Sequence, residues 1–184
     1  MIKPLIERLK KSFRLSLKDA LFLGFCAVFA VLTRLALRLH LHISGHAMII
    51  NVFFLMLASG STPCRYGASF TALLAGSATM FLGFAKAGPF IIVKYMLIGV
   101  VIDVAAFFLP ALFRSYGLCV LVAAGASATK FLTTYAVNAM VGMDSVVNVQ
   151  ASILEAAAAV VFGVVGGMLV PMVIRRLRAY DVIR

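Results

Sequence analysis

Four ionisable side chains, Lys94, Asp103, Lys130 and Glu155, stand inside long apolar runs of this 184-residue chain. A charged side chain at the centre of a bilayer costs about 2.5–3.5 kcal/mol on insertion scales, so such residues pair with one another or serve a ligand or ion. Asn138, Gln150 and Asn51 add amides at neighbouring positions in the runs. If Lys94 or Lys130 pairs with Glu155, the other lysine is left for an anionic or carbonyl-bearing ligand. The packing alternative is that the pair only neutralises the bundle interior and that Asp103 caps a local group. We expect Lys94, Lys130, Asn138, Gln150, Glu155, Asn51 and His46 to bind a ligand.

All three histidines, His40, His42 and His46, fall within seven residues, in the string HLHISGHAMIIN. Three neutral imidazoles suffice for a transition metal with a water, yet no carboxylate or cysteine accompanies them. The string breaks two apolar runs, and we expect His40, His42, Ser44 and Gly45 to form a lid over the ligand site. Metal binding by His40, His42 and His46 is the alternative. Cys26, Cys64 and Cys119 contain no CxxC pair and suggest neither a disulfide framework nor a zinc site. No GxSxG, HExxH or Walker GxxxxGK[ST] string occurs, so no enzymatic activity is expected and any ATP is used by partner subunits.

The elements that must hold these residues are membrane helices. The chain is 64% hydrophobic and 12% charged, with a mean hydropathy of +1.10, against about half apolar and a quarter charged in soluble domains. About 20 residues cross the hydrocarbon core, and six such runs occur, at about 17–39, 46–62, 66–85, 89–113, 116–141 and 149–174. They form a single all-α integral membrane domain. Residues 1–16 carry Lys3, Arg8, Lys10, Lys11 and Arg14, with Leu5, Leu9 and Phe13 four apart, which predicts an amphipathic interfacial helix. Twelve of the 17 Lys and Arg residues face the cytoplasm if both termini are inside, with Arg34, Arg38 and Lys86 outside and Lys94 and Lys130 within the spans. The net charge of +11 is concentrated towards the two ends, which indicates a lipid surface rather than nucleic acid.

Gly24, Cys26, Ala27 and Ala30 place small surfaces on the first span, and Gly163-x-x-x-Gly167 does so on the last. Small residues let helix backbones approach closely in lipid, either within the bundle or against a second membrane protein.

Six spans, a basic amphipathic start, a small-residue stripe (Cys26-x-x-x-Ala30) and polar outer halves of spans four to six resemble the S components of energy-coupling factor (ECF) transporters. The resemblance covers the whole chain in length and layout. It implies a vitamin-like small molecule captured from outside, beneath the loop after the first span. It also implies docking through Gly24, Cys26, Ala27 and Ala30 onto a transmembrane T component, with two cytoplasmic ATPases, in a bacterial or archaeal cell membrane. The competing readings are an MreD-like structural scaffold and a transition-metal uptake subunit.

Overall fold

The computed structural model describes residues 16–40, 47–62, 64–83, 88, 90–109 and 112–180. Among them are six α-helices and one short 3-10 turn, Leu112–Arg114, and no strand. The helices are α1 (Leu17–His40), α2 (Ala47–Ser61), α3 (Gly67–Phe81), α4 (Phe90–Phe108), α5 (Tyr116–Met140) and α6 (Ser145–Ala179). The interfacial helix expected over 1–16 lies, but for Ser16, outside the described residues, as does the loop at 41–46.

Four helices, α1, α4, α5 and α6, are long and apolar enough to cross a membrane. The protein is therefore a helical, membrane-embedded one. At 15 residues each, α2 and α3 are apolar but rise only about 22 Å, short of a hydrocarbon core of about 30 Å. Of the two, α2 lies in the interior, whereas α3 exposes Phe70, Leu73, Met80 and Phe81. The α2 helix packs against every other helix, and Val52, Leu55, Met56 and Ala58 are fully enclosed.

Three runs end or begin four or more residues from the sequence expectation. The third run stops at Phe81 rather than 85. The fourth run ends at Phe108, not 113, and a 3-10 turn follows. Pro110 explains the stop, because its ring disfavours helical backbone at the preceding residue. The last helix starts at Ser145 and runs 35 residues, about 52 Å, past the expected ends at 149 and 174. Arg176 and Arg178 in its last turn complement the negative end of the helix dipole.

Since lipid is as apolar as the side chains, close packing rather than water exclusion brings these helices together. The α5–α6 pair shows how. Gly167 lies so close to α5 that an added methyl would sit 2.5 Å from Ala123 Cβ and 3.1 Å from the Cys119 carbonyl oxygen. Gly163 lies closer still to the Ser127 hydroxyl. Gly142, at φ 83°, reverses the chain between them: its amide bonds to Ala139 and that of Met143 to the Asn138 carbonyl. This double closure of a helix end needs left-handed backbone, which glycine adopts without steric cost.

Outward faces are apolar. Leu21, Phe25, Val28 and Leu32 form an exposed stripe on α1, and Val93, Val100, Val104 and Phe107 one on α4. The small residues of α1 turn the other way. Cys26, Ala27 and Ala30 are buried in the bundle's own core, and only Gly24 has open space around its Cα. The side chains that α1 turns outward, where a partner on this helix would meet it, are the large ones between the small residues.

Candidate functional site

The charged residues of α4, α5 and α6 come together. Lys130 Nζ on α5 lies 3.5 Å from Glu155 Oε2 on α6, and the Thr134 hydroxyl, one turn above Lys130, donates to the same oxygen at 3.4 Å. Helical spacing makes this possible. Residues 130 and 134 share one face of α5, and Glu155 continues the α6 face that buries Asn148, Ser152 and Ala159. Lys94 on α4 lies within Coulombic range of Glu155, Lys130 and Arg34. Lys130 and Glu155 keep 23% and 41% of their side-chain surface accessible, so the pair is not sealed within the core.

Arg34 belongs to this cluster, although its charge was counted with the external residues in the sequence. Its guanidinium donates to the Tyr95 hydroxyl and lies over the Tyr95 ring, 5.5 Å from the centroid. Tyr95 is 3% exposed, so it presents a fixed aromatic face to the cation. Arg34 falls within the run read as 17–39, and that position inside a span was the signal for it.

The amides are distributed differently from the expectation. Asn138 is half-buried one turn above Thr134, with its backbone carbonyl closing α5. Gln150 is exposed, about 140° around α6 from Glu155, because five residues at 100° each carry it off the inward face. It does not join the cluster. The inward amide of that stretch is Asn148, 1% exposed, whose Nδ2 donates to the Tyr135 carbonyl at 3.1 Å and whose Oδ1 accepts from Ser152 at 3.2 Å. Sequence reasoning missed it, and its i, i+4 spacing to Ser152 was the available clue. Asn51 is buried on the central helix α2, and its Oδ1 has no hydrogen-bond partner among the described residues. His42, Ser44, Gly45 and His46 lie outside the described residues. His40 ends α1, with nothing described of its side chain.

Asp103 stands apart from the cluster, at the other end of α4. It is 5% exposed and accepts three hydrogen bonds: from Ser59 Oγ on α2 at 3.0 Å, and from the Ala68 and Ser69 amides at 3.1 and 2.7 Å. Those amides belong to the first turn of α3, whose own N-cap residue, Tyr66, makes no side-chain capping bond. Asp103 therefore caps α3 from a different helix. Beside it lies a cleft of about 380 Å³ walled by Val104, Phe107 and Arg65, whose guanidinium stacks 3.6 Å from the Phe107 ring centroid.

Two polar centres thus occupy the bundle. One is a cap with all its donors committed. The other is a cluster of three cations and one carboxylate, partly open. No group of three metal-ligating side chains occurs among the described residues. Compared with known proteins, the chain matches no family model, no curated sequence and no solved structure.

Proposed function

We propose that the chain is a solute-binding membrane subunit of the ECF S type. It would cross the membrane six times with both termini in the cytoplasm of a bacterial or archaeal cell. The observation that carries this reading is the meeting of Lys94, Lys130 and Glu155, with Arg34, inside apolar helices. Each such charge costs about 2.5–3.5 kcal/mol at mid-membrane, a cost that helix packing alone does not require. Partial exposure of the Lys130–Glu155 pair supports access by a ligand rather than a closed structural bridge. A scaffold of the MreD kind would be served equally well by apolar residues at these positions.

The subunit holds its solute beneath the loop after α1 and hands it inward when a T component and two ATPases engage. The chain hydrolyses no ATP itself. The lipid-facing stripe Leu21, Phe25, Val28 and Leu32 is available for that engagement.

Gentle-detergent purification from the native host tests the reading. The chain should co-purify with a membrane subunit and ATPases, and the pool of molecules below 1 kDa from growth medium, a size cut of about that of the largest vitamins, should raise its melting temperature. Lys130→Ala should lose most of that thermal response while keeping the partners. Recovery of cell-wall synthesis proteins instead, with no response to the pool, would refute it.

A further inference from the structure

We infer that the ligand of the α1–α4–α5–α6 cluster is a small organic anion, carrying one or two negative charges as carboxylate or phosphate and anchored by Arg34 and Lys94. This inference rests on the solute-binding reading above and specifies its substrate class.

The charge count carries it. Arg34, Lys94 and Lys130 lie within Coulombic range of one another through Lys94, and the carboxylate among them is Glu155. The chain's six acidic residues leave little to balance the rest. Asp103 is committed to the α3 cap. Asp144 precedes α6, and Asp19 lies in the first turn of α1, at the end opposite Arg34. Glu7 and Asp181 lie outside the described residues. With Glu155 bridged to Lys130, the described cluster keeps an excess of two positive charges in an apolar bundle. Such an excess is unfavourable until an anion enters.

Geometry adds a preference for an oxyanion that accepts two hydrogen bonds side by side. The Tyr95 ring lies under the Arg34 guanidinium and its hydroxyl accepts one N–H. With that N–H taken, the other donors of the guanidinium remain for bidentate contact with carboxylate or phosphate. Lys94 supplies a point charge beside it. A cationic ligand would meet three like charges, and a neutral one would leave the excess uncompensated.

The test divides the sub-1-kDa pool of growth medium on an anion-exchange resin into retained and unretained halves, a cut of ordinary ligand size. The full-length protein, in detergent at fixed ionic strength, is then heated with each half. We expect the retained half to raise the melting temperature by at least about 3 °C, the shift that ligand well above its Kd gives a protein of this size. Arg34→Gln and Lys94→Gln should each remove most of that shift, and Arg34→Lys should keep part of it. Should one Gln variant prove unfolded without ligand, the other carries the comparison. Stabilisation by the unretained half alone would overturn the anion assignment and leave solute binding standing. Stabilisation by neither half would overturn both. A retained-half shift equal in wild type and the folded Gln variants would overturn the role of Arg34 and Lys94.

Discussion

Replacing Asp103 with alanine removes the acceptor that three donors share. The Ser59 hydroxyl and the Ala68 and Ser69 amides lose partners at 3.0, 3.1 and 2.7 Å, at a site 5% exposed. A buried donor left without a partner costs about 1–3 kcal/mol, and loss of a helix cap about 0.5–2 kcal/mol by itself. Water reaching the half-buried Ser69 offsets part of this, so the expected loss is about 3–5 kcal/mol. That is a large share of a folding stability of about 5–15 kcal/mol. For a chain of this length each kcal/mol moves the melting point by about 2–4 °C, so the midpoint should fall by at least about 6 °C. Thermal unfolding of the purified protein, followed by the monodisperse fraction on gel filtration, measures it. Asp103→Asn keeps one acceptor oxygen and should fall between the two. Hydrogen exchange should accelerate first at the amides of residues 68 and 69. A midpoint within about 2 °C of wild type in the alanine variant would refute the cap, since that corresponds to 1 kcal/mol or less.

Three further outcomes follow from packing and burial. Gly167→Leu should separate α5 from α6, because even a methyl there meets Ala123 Cβ at 2.5 Å; the expected result is failure to recover monodisperse protein. Ala30→Leu, at a core position 2% exposed, should lower stability by about 1–3 kcal/mol through overpacking, whereas Val28→Leu on the exposed face should leave the melting point unchanged. The Cys64 thiol, between α2 and α3, is pushed up from its ordinary value of 9.0 by burial, then by Asp19 and Asp103. A raised thiol pKa keeps the reactive thiolate scarce as pH climbs, so maleimide labelling, read by peptide mass spectrometry, should still be accelerating at pH 9.0. A plateau below that pH would contradict the burial.

Composition and run length were enough to read a helical membrane protein, and the ends of the apolar runs located the described helices to within about five residues. These are local properties: helix formation in lipid is forced by backbone hydrogen bonding, and turns by the residues that tolerate them. A lysine paired with Glu155 was legible because buried charges seek opposite ones, but that the partner is Lys130 rather than Lys94 came only from the structure. What the tertiary structure decided is which face each helix turns inward. It buried Cys26, Ala27 and Ala30, which could equally have faced a partner, because α1 uses them to approach its own bundle. It turned Gln150 outward and Asn148 inward, two residues apart on one helix. It brought Arg34 onto Tyr95, 61 positions along the chain, and set Asp103 on the end of a helix other than its own. Such choices depend on rotation and contact between helices distant in sequence, which no local pattern carries.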